Sequence, residues 1–181
     1  MKKLFLYTAL CCSLFAACQN NTDVDGDGIS DGKRNVSKRD YSITKANSYS
    51  DLFFDSSAME SYIIQNKLAD SIARRLRSFY NTRNYQFAWF TSTGLTEQAR
   101  GFWNLHDYVT AYGNDSTLKD KNLQKKMDGL VMQERLSVSA SDKSMLNTEL
   151  KLTEHFIRYM LGNYEKGYVK RKDMERFIPR K

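Results

Sequence analysis

Where the cysteines fall limits this fold more than any other feature of the chain. There are three, Cys11, Cys12 and Cys18, all near the start of 181 residues. Lys2 and Lys3 open the chain, residues 4–17 form an uncharged run, and Ala16-Ala17 place two small side chains before Cys18. A basic start, a short apolar run and a small-residue exit make a secretory signal. The run is shorter than the roughly 18–20 apolar residues needed to span a bilayer. A cysteine directly after the cleavage point is the lipid acceptor of a bacterial lipoprotein signal, although Phe15 stands where such signals usually carry Leu. Residues 1–17 are therefore expected to be removed and Cys18 to become a lipidated N-terminus. The expected location is the cell envelope, anchored to a membrane and facing the periplasm or the cell surface. The mature chain is then expected to lack any thiol nucleophile, disulfide or Cys-bound metal, so it must fold on core packing alone.

Such a core is within reach. The remaining length suits one domain with a tether. Ten Phe, eleven Tyr and two Trp supply large apolar groups, while one Pro and nine Gly disfavour a turn-rich β-protein. The net charge of +7 is unevenly placed. Residues 19–165 balance acids and bases, and the excess beyond Lys2 and Lys3 lies in residues 166–181. There Lys166, Lys170, Arg171, Lys172, Arg176, Arg180 and Lys181 face only Asp173 and Glu175. An exported lipoprotein does not meet nucleic acid, so this end suits a membrane surface, an acidic wall polymer or an acidic protein face, or is simply a solvated helix face.

Residues 18–40 read as a flexible tether, rich in Asn, Asp, Ser, Lys and Gly. Within them DVDGDGISDG places Asp23, Asp25 and Asp27 at alternate positions, Gly28 at a turn and Asp31 at the ninth position. Hard calcium ions need several oxygens from a loop that bends back, and this spacing supplies them. Arg34 stands where an EF-hand carries its bidentate Glu. Weak calcium binding by Asp23, Asp25, Asp27 and Asp31 is one reading, a hydrated acidic spacer the other. No other cofactor is expected.

The folded part is expected over residues 41–181 and mainly α. Asp55, Ser56 or Ser57 with Glu60 offers an N-terminal capping arrangement. Helical spacing of Met59, Ile63, Ile64, Leu68, Ile72, Leu76, Phe79 and Tyr80 predicts one helix to about Thr82. Residues 87–90 read as an extended or turn segment, which Gly94 breaks. Thr96 is expected to cap a second helix to about Tyr112. A third is predicted over residues 120–136, a long fourth from Ser141 or Asp142 to about Asn163, and a short last one over 171–177 ending before Pro179. Tyr168, Val169, Met174, Phe177 and Ile178 interleave with the basic end, the pattern of an amphipathic piece lacking part of its cover. Helices joined by short loops predict a bundle-like domain.

Few residues announce chemistry. His106 and His155 both sit mid-helix without a HExxH or HxxxH pair, so a helix-borne zinc site is unsupported. No GxSxG or SxxK string marks a serine nucleophile. The aromatic stretch FYNTRNYQFAWF, residues 79–90, differs in kind. Arg83 amid rings could bind a carboxylate and Trp89 could stack on a glycan, which makes both candidate binding residues. A buried corner, with Arg83 satisfying backbone carbonyls, is the other reading.

The run FYNTRNYQFAWFTSTGLTEQARGFWNLHDYV resembles the N-terminal region of large periplasmic L,D-transpeptidases of the Bacteroidetes type, which cross-link peptidoglycan. Phe79, Tyr80, Arg83, Tyr85, Ala88, Trp89, Phe90, Gly94, Leu95 and Ala99 fit its pattern, with Ala88 where a Pro is usual. ELKLTEHFIRYMLGNYEKGYV and ERFIPRK are similar to the same region. The resemblance implies a mostly helical scaffold domain that supports a catalytic domain and can host a wall-binding insertion. The family's catalytic domain carries a His and a Ser-x-Gly-Cys motif, which residues 1–181 do not contain. The resemblance therefore implies a cell-wall setting, with peptidoglycan or a transpeptidase catalytic domain as partner, and carries over no catalytic residue. The expectation is a non-catalytic, lipid-anchored scaffold protein. The alternative, from the acidic loop beside the anchor, is a calcium-stiffened surface adhesion lipoprotein.

Overall fold

The computed structural model describes residues 36–113, 116–133, 135–168, 177, 180 and 181. Cys18 and the four aspartates of the tether lie outside them. Among the described residues the fold is mainly α, as the helical spacing predicts. It contains α1 (Ser56–Gln65), α2 (Asp70–Asn81), β1 (Phe90–Thr91), β2 (Gly94–Leu95), α3 (Glu97–Tyr112), a 3-10 turn (Ser116–Leu118), α4 (Lys121–Val131) and α5 (Lys143–Glu165).

The starts follow local chemistry. Asp55 caps α1 by accepting from the Ser57 N–H, Thr96 caps α3 through Ala99, Asp120 caps α4 through Asn122 and Leu123, and Asp142 caps α5 through Ser144 and Met145. Each satisfies donors that the first helical turn leaves unpaired.

The stops correct two expectations. The single helix predicted to Thr82 is two, because Lys67 turns left-handed at φ 49° and the Leu68 N–H reaches back to the Ile63 carbonyl. The Asn66 side chain holds the Tyr62 carbonyl across the same break. Ile64, expected on the apolar face, is left 73% exposed. The third helix stops at Val131 rather than Leu136. Beyond it the chain extends so that the Val138 N–H reaches the Ser92 carbonyl and Leu136 packs against the core.

The long helix α5 is the axis of the domain. It packs against α1, α2 and the 3-10 turn, and buried residues surround it nearly all the way round. The core centres on rings: Trp89 stacks on Phe102, both meet Phe156 edge-on, and Phe54 touches Tyr80, Tyr85 and Phe87 edge-on.

Packing begins a few residues before Tyr41. The Ser37 N–H bonds Ser78 Oγ, and the Asp40 N–H bonds the Asn81 carbonyl. The last predicted helix falls mostly outside the described residues. Those that are described at the basic end make contacts yet stay exposed: Phe177 stacks on Phe156 and is 39% exposed, Tyr168 is 77% exposed, the Tyr49 N–H donates to the Arg180 carbonyl, and Lys181 Nζ donates to Ser42. No helix of the described residues is long and apolar enough to cross a membrane.

Candidate functional site

The extended segment after α2 runs through the core, where every backbone polar group needs a partner. The chain enters it by an unusual turn: Asn84 and Tyr85 are both left-handed, at φ 51° and 61°. Tyr85 is bulky for that conformation, which costs on the order of 1–3 kcal/mol unless the surroundings hold it. They do so here. Its N–H bonds the Tyr80 carbonyl, its hydroxyl bonds Asn81 Oδ1, and its carbonyl accepts from the Phe54 N–H.

From there the buried amides find partners one after another. The Phe87 N–H donates to the Leu52 carbonyl. The Ala88 and Trp89 N–H groups donate to the two oxygens of Glu149, at 2.6 and 3.0 Å. The Trp89 carbonyl accepts from the Thr96 N–H, and the Phe90 carbonyl accepts from Ser50 Oγ. Glu149 thus replaces a neighbouring strand, bonding two successive amides from the middle of α5. Tyr80 adds a third donor to the same carboxylate, at 2.9 Å. Thr153, one turn along α5, accepts from Trp89 Nε1 at 2.8 Å and shares a 2.5 Å hydrogen bond with the Tyr80 hydroxyl.

Glu149 is fully buried. Burial pushes its carboxyl up to about 7, against the Ala88 and Trp89 amides, Tyr80 and the Arg83 charge, which all favour the ionised form. Arg83 is drawn down to about 10, chiefly by burial, and still carries its charge at neutral pH. Its guanidinium lies over the Phe79 ring, 5.0 Å from the centroid.

Arg83 and Trp89, the two candidate binding residues, are therefore brought together in one buried corner. Trp89 has no exposed surface and Arg83 is 2% exposed. An exposed sugar platform at Trp89 is corrected: the ring is closed over by Phe102 and Phe156, and its N–H is taken by Thr153. Arg83 keeps its place beside a carboxylate, but the carboxylate belongs to the chain itself.

A second polar group lies further along α5. His106 Nε2 and His155 Nδ1 meet at 2.9 Å, one donating and the other accepting, so the accepting ring is neutral. Trp103 stacks on His106 at 4.8 Å. Burial pushes His155 down to about 4, with His106 adding to the effect, and burial lowers His106 as well. Next to His155, buried Glu154 accepts from the Tyr62 hydroxyl at 2.5 Å and from Arg158 at 2.9 Å, and Lys151 joins it to Asp120. Among the described residues no group of three or more His, Cys, Asp or Glu is placed to hold a metal ion.

Fold and site together define an α-helical domain whose extended aromatic segment is fastened by one acid and one threonine of a central helix. Sealed groups of this kind position backbone. Residues 74–181 match the family described as the Scaffold domain, and the chain belongs to that family. The match takes in Phe79, Tyr80, Arg83, Trp89, Glu149 and Thr153, while Ser50, Leu52 and Phe54, which also bond the segment, precede it. No curated protein and no solved structure matches the chain.

Proposed function

We propose that this is a lipid-anchored, non-catalytic scaffold-domain protein related to peptidoglycan L,D-transpeptidases, with a supporting or binding role at the cell wall. The observation that carries it is the Scaffold domain match over residues 74–181. The sequence adds one support, the leader ending at Cys18. In this reading Cys18 carries the lipid, and the partner is peptidoglycan or a catalytic domain supplied by another chain. Purified protein lacking residues 1–17 should co-sediment with peptidoglycan sacculi or with a transpeptidase catalytic domain, and should form no cross-links from muropeptides. Cross-linked product formed by the protein alone, insensitive to cysteine reagents, overturns the non-catalytic role; failure to bind either partner overturns the wall-associated one. Palmitate labelling lost in Cys18→Ala tests the anchor.

The aspartates at positions 23, 25, 27 and 31 favour weak calcium binding as an addition to this role. Calorimetry with the mature protein should show heat at millimolar calcium, and a flat titration removes the ion and, with it, the adhesion reading that depends on it.

A further inference from the structure

Two adjoining hollows of about 340 and 410 Å³ line the seam beside α4 and the first turns of α5, and they share Asn122 and Lys126. They form one groove, placed away from the buried corner. Its charge is one-sided. Among the described residues, Lys125, Lys126 and Lys151 line it against a single acid, Asp120. That acid is already engaged: one oxygen caps α4 through the Asn122 and Leu123 N–H groups, and the other lies 3.3 Å from Lys151. Lys126 reaches only the Ser144 hydroxyl, at 3.2 Å, and no acid of the described residues pairs with it or with Lys125. Two primary amides face the same groove, Asn122 and Asn147, and neither side chain bonds another described residue.

These groups select a ligand by chemistry. Unpaired ammonium groups take carboxylates through charge-assisted hydrogen bonds. A primary amide offers a donor and an acceptor together, the complement of a peptide bond. Among the described residues no aromatic lines the groove for a sugar ring or a nucleobase to stack on. Nor does a described arginine line it to clamp a phosphate in two-pronged fashion.

We propose that the groove along α4 and α5 binds an extended, carboxylate-rich peptide, with Lys125 and Lys126 pairing its side chains and Asn122 and Asn147 holding its backbone. The inference stands on the groove alone and does not depend on the wall-associated role. The test is a titration of the mature protein with N-acetylated tri-glutamate, followed by backbone amide NMR shifts. Shifts should cluster at residues 120–133 and 144–151. N-acetylated tri-glutamine should bind about tenfold more weakly or worse, and Lys126→Gln should weaken tri-glutamate about tenfold. Asn147→Ala should weaken both peptides, and neither variant should change the melting temperature, since both residues are exposed. No shifts at millimolar peptide, equal binding of tri-glutamine, shifts centred on Arg180 and Lys181, or tighter binding of chitotetraose at the same residues would each overturn the proposal.

Discussion

At the scale of single residues, α5 carries two buried titrating groups that pull stability in opposite directions with pH. Glu149 has a carboxyl raised to about 7 from an ordinary value near 4.5. The folded state therefore binds its proton more tightly than the unfolded chain, and this contribution is full below about pH 4.5 and is lost as pH rises towards 7. His155 is lowered to about 4 from 6.5. There the unfolded state binds the proton more tightly, so the contribution is full above about 6.5 and is lost as pH falls towards 4. Each displacement corresponds to on the order of 3 kcal/mol, so the two slopes oppose each other, with His106, also lowered by burial, acting on the side of His155. The carboxylates held low, such as Asp40, Asp51 and Asp55, act below their ordinary value of 3.8, outside this window. Urea unfolding from pH 4.5 to 7 should thus find a shallow dependence in the natural protein. Glu149→Gln should leave a stability that rises with pH, and His155→Gln one that falls. Parallel profiles for all three proteins would show that neither group titrates as its burial demands. Independently, Trp89→Ala should cost about 3–5 kcal/mol, because the ring fills space among Phe102, Phe156 and Thr153 that little else can occupy. A loss below about 1 kcal/mol would mean that the corner is not packed as described.

At the scale of elements, the turns decide more than the helices. Lys67 holds φ 49° at the break between α1 and α2, with its side chain exposed. Lys67→Gly removes the side-chain penalty of that conformation and should raise stability by up to about 1 kcal/mol, seen as a higher denaturant midpoint with an unchanged slope. At the end of α3, a Cβ on Gly113 would lie 2.4 Å from the Val109 carbonyl oxygen, which is backbone and cannot step aside. Gly113→Ala should destabilise by about 1–3 kcal/mol and loosen the end of α3, visible as faster amide exchange near Tyr112. The starts of α3 and α5 were legible because Thr96 and Asp142 carry the capping chemistry in their own side chains. The break at residues 66–69 was not, because no Gly or Pro marks it and Leu68 and Ile72 keep the helical period across it. The early end of α4 was hidden for a related reason: residues 132–136 have helix-forming composition, and the packing of Leu136 and Val138 on the core is a tertiary effect that no local signal marks. The corner itself was half legible. Its aromatics and Arg83 stand out in the sequence, and a buried corner was among the readings. Its fastener, Glu149, looks like any surface acid. The one available signal was spacing, since Met145, Glu149, Thr153 and Met160 fall on a single face of α5 and an acid there must be buried. The meeting of His106 with His155 had no signal at all, because it depends on how α3 crosses α5.

At the scale of the whole molecule, the mainly helical architecture was readable from periodicity, while the path of the chain at its two ends was not. Residues 37–49 run over the end of α2 and beside the described residues of the basic end. The Arg180 guanidinium reaches the Thr82 carbonyl, and the carbonyl of Arg180 accepts from Tyr49. Asp40 is held low chiefly by Ser42, with further help from the charges of Lys181 and Arg180. These charge contacts are exposed, so raising salt from 0.1 to 1 M should soften this seam while leaving the core melting transition almost unmoved. Limited proteolysis around residues 40–49 would detect it, and uniform resistance at both salts would show that hydrogen bonds alone hold the seam. The arrangement also has a mechanical meaning. Entry and exit of the domain lie side by side, so a load applied between a tether at one end and a partner at the other is carried by this short seam rather than along the helices. The seam would part bond by bond at low force, as a zip does, before the aromatic core bears any tension. A single-molecule pulling trace should therefore show a small early extension ahead of the main unfolding event, making the junction of the two ends a shock absorber between whatever the chain is fixed to and whatever it holds.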